Sequence, residues 1–171
     1  MLDLRALVRD IPDFPKPGIL FRDITPVLGH AGAFSAVVDA LAALARVHGA
    51  TRIVGIESRG FILGTPVAAR LGLPFVPVRK PGKLPHERTR VEYALEYGTD
   101  ALEMHVDAVE PGDRVVIIDD LLATGGTAEA ACRLVEQSDA TVAAVLVMIE
   151  LCDLGGEERL APRHVYSLLK Y

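Results

Sequence analysis

Strand and helix patterns alternate across residues 50–150 of this 171-residue chain, which predicts an α/β fold with a mainly parallel central sheet flanked by helices. Two further observations agree. Short runs rich in Val and Ile at 115–118 and 142–149 suit strands covered on both faces, as parallel sheets require. The apolar runs at 52–56 and 115–118 each pass into a polar, glycine-bearing turn and then a helical pattern, the form of a βα unit.

Length and composition narrow the class. The chain fits one domain, 1–171, able to bury a core without disulfides or metal. With 50% hydrophobic and 24% charged residues, disorder is not expected. The longest apolar run, 142–149, is too short to cross a bilayer. Met1 is followed by Leu2-Asp3-Leu4-Arg5, without the basic flank and apolar core of an export signal, so a cytoplasmic location is expected. A net charge of −5 argues against nonspecific nucleic-acid binding. Cys132 and Cys152 lack metal-type spacing and read as free thiols. Arginine outnumbers lysine and asparagine is absent, which suits a hot habitat or a codon bias alike.

In chain order, Leu4, Leu7 and Val8 suggest a short amphipathic helix, ended at 10–18 by a segment too rich in proline for regular structure. Residues 19–28 are apolar with charged insertions, and by bulk Phe21 is a core residue. Phe34 to Ala45 repeat at helical spacing, with Gly49 as the residue past the helix end. A strand at 52–56 ends in Glu57-Ser58-Arg59-Gly60, and 61–71 returns to helix. Arg59 in that turn is either a second anion site or a surface arginine in an ordinary turn. The strand at 74–78 leads into a cationic loop, 79–90, long enough to be a lid. Residues 91–95 and 102–106 form a hairpin around Gly98. Glu96, from its surroundings alone, is a solvated carboxylate at a strand end. Helix 128–137 and strands 141–149 and 165–169 complete the pattern.

The chemistry concentrates at 115–127. Asp119 and Asp120 stand at the carboxyl end of a buried strand, where open α/β sheets bind ligands. Gly125 and Gly126 let successive N–H groups converge on one anion, Thr124 and Thr127 add hydroxyl donors, and the following helix contributes its positive end. Ionised carboxylates only accept hydrogen bonds, so the aspartates suit sugar hydroxyls or a bound cation. The stretch describes a sugar phosphate site. It is neither a Walker A loop nor a G-x-G-x-x-G dinucleotide loop.

Asp119-Asp120-Leu121-Leu122-Ala123-Thr124-Gly125-Gly126-Thr127 resembles the phosphoribosyl pyrophosphate loop of type I phosphoribosyltransferases, and its wording is nearest to the adenine-using branch. Gly55-Ile56-Glu57-Ser58-Arg59-Gly60-Phe61 resembles the family's pyrophosphate loop. Phe14-Pro15-Lys16-Pro17-Gly18 with Phe21-Arg22-Asp23-Ile24 resembles its base-binding hood, Arg79 to Pro85 its lid, and Leu95-Glu96-Tyr97-Gly98 its proton-handling segment. Leu154-Gly155-Gly156 extends the likeness over nearly the whole chain.

The resemblance implies a hood at about 1–30, a flexible lid and hairpin at about 80–105, and transfer from phosphoribosyl pyrophosphate to adenine, giving AMP and pyrophosphate. In that reading Ala123, Thr124, Gly125, Gly126 and Thr127 hold the 5′-phosphate, and Asp119 and Asp120 the ribose hydroxyls. Arg59, Lys80 and Lys83 neutralise pyrophosphate. Leu20, Phe21, Arg22 and Leu121 hold adenine, and Glu96 is the catalytic group. Mg²⁺ arrives with the substrate, with no direct protein ligand. A cis peptide is expected at Glu57-Ser58, and a homodimer as the assembly. Two other readings remain: the same fold acting on hypoxanthine, guanine, xanthine or orotate, and a non-catalytic sensor of phosphoribosyl pyrophosphate. The hood wording disfavours the first, and the lack of a basic recognition helix disfavours the second.

Overall fold

Residues 53–56, 115–118 and 143–150 are almost wholly buried, and they form the centre of a five-stranded parallel sheet. The computed structural model describes residues 3–94 and 98–171. It divides into two units, 1–39 and 40–171.

The first unit opens with a 3₁₀ turn at Arg5–Leu7, where a helix was expected. The expectation that 10–18 lacks regular structure also needs correction. Strand β1 (Arg9–Pro12) pairs antiparallel with β2 (Leu20–Asp23), in register Asp10 to Arg22 and Ile11 to Phe21. Pro12 is tolerated because it is the last residue of a two-stranded ribbon, with no inner ladder to interrupt. The loop between the strands is closed by the Gly18 N–H donating to Asp13 Oδ1 at 2.8 Å and by an edge-to-face contact of Phe14 with Phe21 at 5.1 Å; the Phe14-Pro15 bond is cis. Arg22 pairs with Asp10 across the ribbon. Helix α1 (Thr25–Leu28) carries Pro26 in its first turn, where a missing N–H costs nothing. Helix α2 (Ala31–Val47) follows.

In the second unit the sheet order is β4 (Phe75–Val78), β3 (Arg52–Ile56), β7 (Arg114–Leu122), β8 (Thr141–Glu150), β9 (Val165–Lys170). Helix α3 (Arg59–Leu71) connects β3 to β4, and α4 (Gly126–Glu136) connects β7 to β8. The first connection steps to one side and the second to the other, so the strand order reverses between β3 and β7. A crevice opens at the carboxyl ends of two such strands, and this is where α/β sheets bind ligands. α3 lies close on the sheet because Gly60 has no side chain. A Cβ there would sit 2.6 Å from the Ile118 carbonyl oxygen.

Strands β5 (Arg88–Ala94) and β6 (Thr99–His105) form the expected hairpin, with Tyr93 opposite Asp100. One face of β5 and β6 joins α4 and the sheet in a common core containing Tyr93, Leu102, Met104, Leu122, Leu134 and Val147. Each fully buried aliphatic side chain of that set stabilises the fold by roughly 1.5–3 kcal/mol. A second 3₁₀ turn (Cys152–Leu154) and a short α5 (Gly156–Leu160) were not foreseen. Among the described residues no helix is long and apolar enough to cross a membrane.

Candidate active site

The two strand ends at the switch point supply most of one pocket of about 440 Å³. It is lined by Glu57, Ser58, Arg59, Lys80, Asp119 to Ala128 and Val147. Ten of the sequence-designated residues therefore meet there: Arg59, Lys80, Asp119, Asp120, Leu121 and Ala123 to Thr127. Lys83 is not in the lining and pairs instead with Glu57. Leu20, Phe21 and Arg22 lie on β2 in the first unit. Glu96 falls outside the described residues.

The loop 123–127 owes its shape to Gly125, which has φ 81°, a left-handed conformation that only glycine adopts without cost. Gly125 is the N-cap of α4, and no side chain caps that helix start. The first N–H groups of an α-helix have no partner inside the helix. Together with the helix dipole they form a seat for an anion, flanked by the Thr124 and Thr127 hydroxyls.

Asp119 and Asp120 sit at the floor. Asp120 is 3% exposed, and its Oδ2 faces Arg59 Nε at 2.9 Å as an ion pair. Among the described residues that oxygen accepts no hydrogen bond of good geometry. Burial raises the Asp119 carboxyl well above its ordinary pKa, and the neighbouring Asp120 charge adds to this. Burial also raises Asp120, against the pull of Arg59. Such a buried pair, offset only in part by the Asp120 N–H on Asp119 and the Arg59 charge beside Asp120, gains from hydroxyl donors or a cation. No three His, Cys, Asp or Glu side chains gather into a metal-holding group among the described residues. Two adjacent carboxylates with one unsatisfied oxygen do fit a Mg²⁺ that keeps its waters and binds mainly to substrate oxygens.

Residues 79–83, which follow β4, are tied down by acids. Glu57 accepts the Lys80 N–H at 2.9 Å and Arg79 Nε at 3.3 Å, and it pairs with Lys83. Glu103, 3% exposed, accepts the Gly82 N–H at 3.0 Å and pairs with Arg88 at 3.1 Å. Burial pushes the Glu57 carboxyl up, but Lys83, the Lys80 N–H and Arg79 outweigh it and the pKa ends below the ordinary value. The bond at Glu57-Ser58 is cis, as expected.

Glu57 itself was overlooked as a site residue. Its position one residue past a buried parallel strand was a usable signal, of the same kind that singled out Asp119. The sequence gives no comparable hint for Tyr93, which reads as a core residue of the hairpin.

A family model described as the phosphoribosyl transferase domain matches residues 29–170. The chain belongs to the phosphoribosyltransferase family. Its relatives include the adenine phosphoribosyltransferase of Roseiflexus castenholzii, 56% identical over 170 residues and covering 99% of both chains. That of Synechococcus is also 56% identical, again over 99% of both. Among solved structures, the adenine phosphoribosyltransferase of Thermoanaerobacter pseudethanolicus superimposes with a TM-score of 0.96 at 50% identity, covering 98% of each chain. The Saccharomyces cerevisiae enzyme, solved with an imino-altritol bisphosphate and adenine, gives 0.92 at 41% identity, covering 97% of this chain and 96% of the other.

Proposed function

We propose that the chain transfers the 5-phosphoribosyl group of phosphoribosyl pyrophosphate to adenine, forming AMP and pyrophosphate. The observation that carries this reading is the meeting of an uncapped, glycine-initiated helix start, two raised carboxyls and two cations in one pocket at the β3/β7 switch point. The full-length likeness to adenine phosphoribosyltransferases supports the choice of base.

The loop 123–127 holds the 5′-phosphate, and Asp119 and Asp120 accept from the ribose hydroxyls. Arg59 and Lys80 face the diphosphate from the pocket lining, and Lys83, paired here with Glu57, is the lid cation that would join them. Leu121 covers one face of the base, and the β2 residues Leu20, Phe21 and Arg22 recognise adenine. An aromatic face suits a flat heterocycle, and backbone groups can distinguish an amino edge from an oxo edge. In the reaction the C1′–O bond breaks, pyrophosphate leaves with the electron pair, and a base nitrogen forms the new bond to C1′. Glu96 takes the proton that this nitrogen loses. Positive charge develops on the sugar and negative charge on the leaving group, so the side chains act by positioning and charge stabilisation. The lid keeps water from the activated sugar. Bound Mg²⁺ would neutralise diphosphate charge, with Asp119 and Asp120 the residues able to hold its hydrated side.

The family likeness supports a cytoplasmic homodimer, which sedimentation can check. The test of the activity is incubation with adenine, labelled phosphoribosyl pyrophosphate and Mg²⁺. AMP and pyrophosphate should appear in equal amounts, and release of ribose phosphate without AMP would defeat the reading.

A further inference from the structure

Lys80 is the lid cation nearest the phosphate loop in connectivity, because one hydroxyl joins the two. Lys80 Nζ donates to Tyr93 Oη at 3.1 Å and pairs with Asp100. The Tyr93 hydroxyl donates to Asp100 Oδ2 at 3.2 Å and accepts from Thr127 Oγ1 at 3.4 Å. A phenol has one proton and two acceptor positions; here Asp100, Lys80 and Thr127 use all three. Tyr93 and Asp100 are direct cross-strand partners in the β5/β6 hairpin, and Tyr93 is only 6% exposed. The hydroxyl is therefore fixed by a packed ring, and the carboxylate by sheet register. Both Lys80 and Thr127 line the pocket.

We propose that Tyr93 and Asp100 are positioning residues for the diphosphate: they hold the Lys80 ammonium at the pocket wall and tie it to the phosphate loop through Thr127. The inference rests on the reading of Lys80 as a diphosphate contact. An ammonium has three donors. Tyr93 and Asp100 take two and so fix the direction of the third. A long lysine side chain otherwise gives up substantial rotamer entropy on binding an anion, and holding it beforehand removes that cost from the binding step. Burial lowers the Lys80 pKa, but Asp100 and Tyr93 more than offset it, so the group stays cationic. Asp100 is correspondingly held below its ordinary value, with the Lys80 contact prevailing over burial. A structural role for the pair would affect stability; a positioning role affects one substrate and spares the other.

The experiment compares the full chain with Tyr93→Phe, Asp100→Asn, Asp100→Glu and Lys80→Ala. It measures KM for phosphoribosyl pyrophosphate, KM for adenine, and binding of Mg²⁺-pyrophosphate by calorimetry, with urea unfolding of each variant alongside. Tyr93→Phe keeps the ring and removes only the hydroxyl. Tyr93→Phe and Asp100→Asn should each raise the phosphoribosyl pyrophosphate KM and weaken pyrophosphate binding about tenfold, leaving the adenine KM unchanged, and Asp100→Glu should recover part of the loss. Normal pyrophosphate binding by Tyr93→Phe and Asp100→Asn alongside weakened binding by Lys80→Ala overturns the proposal alone. Unchanged binding by Lys80→Ala overturns both the proposal and the Lys80 assignment. Absence of adenine turnover in the unmodified chain overturns the functional reading, and the pyrophosphate arm still decides the positioning role.

Discussion

Gly156 lies so close against the loop 123–127 that a Cβ on it would stand 2.3 Å from the Ala123 carbonyl oxygen and 2.8 Å from Leu122 Cγ. The start of α5 thus acts as a backstop for the residues that shape the anion seat. Gly156→Ala forces backbone apart and should cost about 1–3 kcal/mol, as overpacking does. It should also raise the KM for phosphoribosyl pyrophosphate more than that for adenine. Urea midpoints and steady-state kinetics check both; an unchanged midpoint would mean that the loop yields without cost.

Arg59 is the cation that faces the buried Asp120. Arg59→Ala should destabilise the fold by about 1–3 kcal/mol, the cost of a buried polar group deprived of its partner. Adding Asp120→Asn in that background should recover much of the loss. Strict additivity of the two changes in a double-mutant cycle would show that the pair does not interact.

The carboxylates divide into two classes by pH. Glu57 and Asp100 have folded-state pKa values below ordinary, so their stabilisation is present above the ordinary carboxylate range and is lost as pH falls through the lowered values. Asp119 and Asp120 are raised, so they favour the fold fully below the ordinary range and lose that contribution as pH rises through the raised values. Urea midpoints from pH 3 to 8 should therefore show the deficit of Glu57→Gln shrinking toward acid. The advantage of Asp119→Asn should grow toward neutrality. Parallel curves for wild type and both variants would contradict this division.

The two thiols should differ sharply. Cys132 is buried in α4, and burial pushes its thiol up to about 12, while Cys152 is exposed. A chromogenic disulfide reagent at pH 8 should react with one thiol per native chain and with both after denaturation. Rapid native reaction of both would require α4 to open locally.

Much of the second unit was legible because its signals are local. Val115 to Ile118 suit a doubly covered strand, and the acids, glycines and threonines after it follow in the order that a βα ligand turn requires. The meeting of Arg59 with Asp120 depended on sheet order, and the sequence pattern does not state which strands are neighbours. The pairing of β1 with β2 was hidden for a related reason: prolines at 12, 15 and 17 suppress the usual strand signal, although a two-stranded ribbon tolerates Pro12 at a strand end and the other two in its loop. The Tyr93, Asp100, Lys80 and Thr127 contacts join three segments, and each side chain taken alone has an ordinary explanation.

The central claim, that the pocket serves transfer to adenine, is tested most directly by kcat/KM across a panel of bases with phosphoribosyl pyrophosphate. Adenine should exceed hypoxanthine, guanine, xanthine and orotate by several orders of magnitude, since a site built for an amino edge leaves buried groups unpaired against an oxo base. Turnover of any oxo purine above that of adenine would contradict it.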